Sequence, residues 1–295
     1  MKILIQICLF TIFYSTVYSL DDPEEFFEKG EKYYRDGKFE KSLSVFEKFV
    51  KKYPKDQGYP KAFYNTGIIS LKLSDTNKAE SIFKNILNSD FNDLEGSGKG
   101  IMDNPYTLYK HNSSSLLYGI YYNRKNYSKA LDYLVMSDEK FKFYADCANA
   151  AVENDIETAI SFSKCYSALG DTNKAIEVLM PYVFPVLFGG VKEAVNNLVP
   201  LLKSKYGEDE FEKEVDLMID NIYFDKEYKK VFTKLFEKPI LFKFNKDLDD
   251  ILFETKIDKN EVTEEEIKEY IKNKIQDYYF YRLAKGAPEE HYKDY

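Results

Sequence analysis

Apolar residues recur along most of this chain at intervals of three and four, the spacing that places them on one face of a helix. Phe26, Phe27, Tyr33 and Tyr34 form the first such set, and Leu43, Phe46, Phe49 and Val50 the second. Asp22 is placed to cap the first helix, with Pro23 at its start and Glu24 and Glu25 in its positively polarised first turn. Gly37 stops that helix, and Tyr53-Pro54 ends its partner. Further on, Val191, Ala194, Val195 and Leu198 share a face, and Pro200 is expected to kink or end it. Phe211, Val215, Met218, Ile219 and Ile222 predict another helix, and so do Tyr228, Val231, Phe232, Leu235 and Phe236. Alternation at Ile240, Phe242 and Phe244 instead predicts a short strand within 238–244. A last helix is signposted by a capping box, Thr263 with Glu266, and by a staple of Val262 and Ile267. Its buried face would hold Ile267, Ile271, Ile275 and Tyr278 or Tyr279.

One stretch occurs twice. Leu73-Ser74-Asp75-Thr76-Asn77-Lys78-Ala79 returns as Leu169-Gly170-Asp171-Thr172-Asn173-Lys174-Ala175, each copy between two helical patterns. Within the paired helical patterns two small residues stand twelve apart, Gly30 and Ser42 in the first unit and Gly67 and Ala79 in the second, the places where the family resemblance described below puts the close approach of the helix axes. The fourth unit has Ser163 and Ala175, with Phe162, Tyr166 and Leu179 around them. A third, less regular unit runs from Leu116, Leu117 and Tyr121 to Tyr127, Ala130, Leu131 and Leu134. Its first small place falls on Tyr118, unless the register shifts by one to Gly119.

These residues resemble the tetratricopeptide repeat family, whose unit is about 34 residues of two antiparallel helices. The likeness runs from about residue 23 to residue 187. It implies an all-α fold, a right-handed superhelical solenoid of about four helix pairs over 20–187, with additional C-terminal helices over 188–295. It implies a scaffold for protein or peptide partners, bound along a groove lined by the first helix of each unit. Phe27, Glu31, Tyr34 and Arg35 map there, with Tyr64, Ile68, Leu71 and Lys72, and with Tyr122 and Asn123. Phe27 and Glu31 stand where the family's carboxylate clamp has Lys and Asn, so that clamp is absent. The groove would be aromatic with mixed charge; the competing reading buries the same rings in the core. In repeat style the chain is also similar to secreted tetratricopeptide proteins of bacterial cell envelopes, some of which help assemble outer-membrane proteins. A reading from another class makes the C-terminal region an enzyme or ligand-binding domain that uses the repeats as a docking module.

Composition narrows the partners. The 295 residues carry a net charge of −8 and no basic stripe, which disfavours nucleic acid. Lys2 ahead of the apolar run Ile3–Tyr14, with Val17 and Ser19 before a cut, makes residues 1–19 a signal peptide. The chain is then exported, periplasmic or secreted, and meets a membrane only if that segment stays uncleaved. Cys8 lacks the small neighbours of a lipoprotein cysteine. Cys147 and Cys165 would form one disulfide across a turn near Asn154-Asp155, or remain two separate buried thiols.

Chemistry is scarce. Gly96-Ser97-Gly98-Lys99-Gly100 lacks the spacing of a phosphate loop. His111 and His291 have no triad around them, and no calcium loop is present. Asp247, Asp249 and Asp250 read as a solvated loop, and Glu264–Glu266 as a helix N-terminus. Asn112 and Asn126 head formal glycosylation sequons. No catalytic residue, metal or cofactor is therefore expected.

Overall fold

The computed structural model describes residues 22–96, 105–185, 191–244 and 247–287. The expected signal segment, Gly98 to Gly100 and His291 lie outside them. The chain divides into two compact units, one ending at Ile82 and one beginning at Phe83. It is mainly helical, with thirteen α-helices among the described residues.

The first unit holds α1 (Pro23–Arg35), α2 (Phe39–Lys52), α3 (Tyr59–Lys72) and the start of α4 (Thr76–Leu87). Asp22 caps α1 as its sequence predicts, accepting the Glu24 N–H at 3.0 Å. The inward faces of α1, α2 and α3 meet in a core of Phe26, Val45, Phe46, Phe49, Ala62 and Ile69. Edge-on contacts of Phe26 and Phe27 with Phe49 fill it at ring distances of 5.8 and 4.9 Å.

The second unit continues with α5 (Tyr109–Asn123), α6 (Tyr127–Val135), a π-helical turn at Met136–Lys140, α7 (Ala148–Ala168) and α8 (Thr172–Glu177). Beyond these come α9 (Lys192–Tyr206), α10 (Glu208–Asp220), strands β1 (Tyr223–Asp225), β2 (Lys230–Leu235) and β3 (Lys238–Phe242), then α11 (Leu248–Asp258), α12 (Glu264–Asp277) and α13 (Tyr279–Ala284). One buried cluster runs from Ile160 and Leu179 through Leu198, Phe211 and Val231 to Ile271 and Phe280.

Three expectations are corrected and one is narrowed. Residues 228–236 are not a helix: β1, β2 and β3 form an antiparallel sheet in that order. The three-and-four spacing there is fortuitous, because Val231, Thr233 and Leu235 alternate inward along β2. The strand expected within 238–244 is β3, covering Lys238–Phe242. Of the two outcomes expected at Pro200, a kink or an end, the end does not occur; α9 continues past it to Tyr206, with Leu198, Val199 and Leu202 buried around it. The turn expected near Asn154-Asp155 is the interior of α7. Cys147 precedes that helix and Cys165 lies near its end, so at about 1.5 Å per residue they are roughly 27 Å apart. Disulfide geometry needs Cα atoms within about 7 Å, and both cysteines are free, Cys147 exposed and Cys165 buried. Finally, the acidic run is no loop. Asp247 caps α11, and Asp250 is buried between the Tyr270 hydroxyl at 2.5 Å and Lys274 Nζ at 2.8 Å. The capping box at Thr263 forms as predicted.

Candidate functional site

Each of the four helix pairs is joined by the same three-residue turn. Its middle residue is left-handed: Gly37, Ser74, Lys125 and Gly170, with φ of 71°, 61°, 59° and 83°. The next N–H donates to the carbonyl five residues back, from Lys38 to Tyr33, Asp75 to Ser70, Asn126 to Tyr121 and Asp171 to Tyr166. This turn fixes the register of everything around it. Near the start of its second helix, each pair buries Ser42, Ala79, Ala130 or Ala175, all at 0% exposure. Twelve residues earlier stand Gly30, Gly67, Tyr118 and Ser163. The third unit therefore uses Tyr118 and not Gly119 at its first small place. A Cβ on Gly119 would meet nothing within 4 Å.

The crossings differ in how they close. A Cβ on Gly30 would come within 2.7 Å of the Phe46 ring, so that place must be glycine. Ser42 Oγ donates to the Gly30 carbonyl at 2.7 Å. In the fourth unit the bond runs the other way, from Ser163 Oγ to the Ala175 carbonyl at 2.8 Å. Each satisfies a buried hydroxyl without widening the crossing. A further device repeats eight residues apart: Lys41 over Tyr33, Lys129 over Tyr121 and Lys174 over Tyr166, at 5.9, 4.6 and 5.4 Å from the ring centres. The second unit has Ser70 in place of the tyrosine, and Lys78 pairs with Glu47 at 2.5 Å instead. This tyrosine-to-lysine spacing was visible in the sequence, but only the shared turn reveals that it recurs in one register.

The expected groove rings, Phe27, Tyr34, Tyr64 and Tyr122, are all partly buried. Phe27 packs against the core, edge-on to Phe46 and Phe49 and so close to Gly58 that a Cβ there would lie 2.6 Å away. Tyr34 packs into the same cluster against Phe39 at 5.4 Å. Tyr64 and Tyr122 are half-buried. Tyr122 packs on Tyr118 and Tyr127, and its phenol titrates high because it is partly buried and faces Tyr127. What the first helices of the first unit show to solvent is charge. Arg35 and Lys72 are exposed, and Glu31 joins Lys61 at 3.0 Å and Arg35 at 3.8 Å.

His111 has a structural task. Asp93 holds the N–H groups of Lys110 and His111 at 2.7 and 3.0 Å, which anchors the start of α5. The buried His111 ring then places Nδ1 at 3.2 Å from the Ser137 carbonyl and 2.8 Å from that of Phe141. Two carbonyl partners require Nδ1 to carry the proton, so the ring ties the π-helical turn to α5. A polar cavity of about 380 Å³ lies beside it, lined by Asp138, Lys142, Asn154, Asp155 and Thr158. Burial, and then Asp138, push the Asp155 carboxyl up. Among the described residues no cluster of histidine, cysteine and carboxylate is set to hold a metal, and no helix is long and apolar enough to cross a membrane.

No curated protein matches the chain in sequence. Among solved structures it is similar to MamA, residue 41 to the end, from Desulfovibrio magneticus RS-1, with 16% identity and a TM-score of 0.44 over 63% of this chain and 87% of that one. It is similar also to TTC0263, a thermophilic tetratricopeptide protein of Thermus thermophilus, with 17% identity and a TM-score of 0.34 over 79% and 97%. Residues 26–56, which cover most of α1, its turn and α2, match the model of the tetratricopeptide repeat, and the other three helix pairs share that pair's turn and register.

Proposed function

We propose that this chain is a scaffold that captures protein partners on the solvent-facing sides of its first helices. The observation that carries this reading is the single register shared by four helix pairs, one of which matches the tetratricopeptide repeat. That register commits the small residues to the crossings and leaves Arg35, Lys72 and the open side of Gly119 unused by packing. Arg35, which pairs with Glu31, and Lys72 are the exposed cations that would hold acidic groups of a partner on a face of mixed charge. The pattern of residues 1–19 supports an exported chain, whose partners are envelope or secreted proteins. Binding of this kind uses no cofactor and no catalytic group.

The test is capture from the envelope fraction of the native source, with the chain lacking residues 1–19 as bait. A double change, Arg35→Glu with Lys72→Glu, is expected to abolish capture and leave helicity and melting unchanged, because both side chains are solvated. A folded double variant that captures the same partner at full strength refutes the first-unit face as the site. Export has its own readout. N-terminal sequencing of the native protein is expected to begin near Leu20, and an intact Met1 rejects cleavage.

A further inference from the structure

The sheet in the second unit ends in an open edge. The order is β1-β2-β3, so β3 pairs on one side only. Phe236 and Glu237, with φ of 49° and 60°, form a two-residue hairpin loop between Leu235 and Lys238. Such a loop makes Leu235 and Lys238 a hydrogen-bonded pair, and antiparallel pairs alternate between bonded and unbonded. Thr233 with Ile240 and Val231 with Phe242 are then the next bonded pairs. Pro239 and Leu241 turn their main-chain groups to the other edge. Among the described residues the Leu241 N–H and carbonyl have no backbone partner there.

A groove of about 540 Å³ follows that edge, with Met180 and Pro181 on its far wall. Lys238, Pro239, Ile240 and Leu241 line it in succession. Side chains of a strand alternate between faces, so four consecutive lining residues mean that the groove tracks the backbone itself. Its floor is apolar, since Leu241 lies opposite Phe232 on the outer face and Phe232 stacks on Tyr223 at 5.4 Å. Lys238 and Lys243 mark the two ends, roughly 17 Å apart at the rise of a strand. Both are exposed and form no ion pair among the described residues, although Asp155 lies near Lys243 and Glu177 also lines the groove. Lys238 and Lys243 outnumber Glu177 among the charged residues that line the groove.

We propose that this edge takes an extended, acidic peptide segment of a partner as a fourth strand, with an apolar side chain against Met180 and Leu241 and carboxylates at Lys238 and Lys243. Main-chain pairing supplies the affinity and the alternating side chains the selectivity. Charge decides the occupant. A second copy of β3 would bring lysines against lysines, and proline and lysine on an edge are the usual guards against such self-pairing. Pro239 removes one N–H from the edge, which restricts pairing to a short segment around Leu241. None of these residues belongs to the first-helix faces, so this inference stands or falls apart from the capture experiment above.

The test uses a fluorescein-labelled hexapeptide with glutamate at its first and sixth positions and valine between them, titrated against the full chain by anisotropy. The same peptide with its backbone N–H groups methylated, and one with lysine in place of glutamate, are each expected to bind at least about tenfold more weakly. Lys238→Glu with Lys243→Glu, two solvated positions, is expected to reverse the preference between the acidic and basic peptides. Equal binding of the methylated peptide overturns strand addition. Absence of binding by the acidic peptide, or an unchanged preference in a folded double variant, overturns the acidic partner. Light scattering that shows a dimer lost in the double variant assigns the edge to a second copy and overturns the proposal as well.

Discussion

Ser74 and Lys125 adopt the same left-handed backbone as Gly37 and Gly170, yet they carry a Cβ. That conformation costs a non-glycine residue roughly 1–2 kcal/mol, while glycine visits it freely at some entropic cost to folding. Lys125 is exposed and caps nothing, so Lys125→Gly is expected to stabilise the chain by about 1 kcal/mol in urea unfolding. The same change at Lys129, which lies over the Tyr121 ring within a helix, is expected to destabilise it. No change in stability at Lys125 would mean that the turn there is not left-handed. Cys147 and Cys165 make a second residue-scale forecast. In the chain lacking residues 1–19, exposed Cys147 should react at once with a thiol reagent and buried Cys165 only on unfolding; two fast thiols would remove Cys165 from the core. Residue identity announced the turns at Gly37 and Gly170 but not at Lys125, because a lysine carries no signal for a positive φ.

At the scale of elements, the shared turn places one small side chain at each helix crossing, and Ala175 is fully buried there. Adding methylenes to such a site forces the helices apart at about 1–3 kcal/mol. Ala175→Leu is therefore expected to lower the melting temperature by several degrees, whereas Lys174→Leu, one position away and solvated, should lower it much less. Equal effects would show that the crossing is elsewhere. Helix periodicity identified most of these elements, and caps at Asp22 and Thr263 identified their ends. It failed at Tyr228–Phe236, where five apolar residues satisfy the helical template and β2 forms instead. Periodicity alone cannot separate the two in so short a run. The arbiter is the pairing of Val231 with Phe242 and of Phe232 with Tyr223, eleven and nine residues away, outside the run that the helical template reads.

At the scale of the whole molecule, burial holds several ionisable groups in their neutral forms. It pushes the Cys165 thiol up to about 11 and the Tyr109 phenol to about 12, and it raises the phenols of Tyr270 and Tyr278 as well. A group that keeps its proton more tightly when folded stabilises the fold below its unfolded pKa, and that contribution fades as pH rises toward the folded value. For Cys165 the window runs from 9.0 to about 11, and the tyrosines extend it upward. The urea midpoint is expected to fall steadily across that range, with a shallower slope in Cys165→Ala. A midpoint independent of pH there would mean that these groups are solvated.

The sequence by itself determined the helix pairs, their small-residue crossings and the absence of familiar catalytic motifs, because each is written in residues close together in the chain. Only the tertiary structure decided that Phe27 and Tyr34 pack against the core while staying partly exposed, that Cys147 and Cys165 stand at opposite ends of one helix, and that Asp250 is buried against Lys274 and Tyr270. It alone decided that β3 has an open edge with a groove along it. These depend on which distant residues share a neighbourhood. Burial and pairing are properties of that neighbourhood, and local spacing along the chain does not encode them.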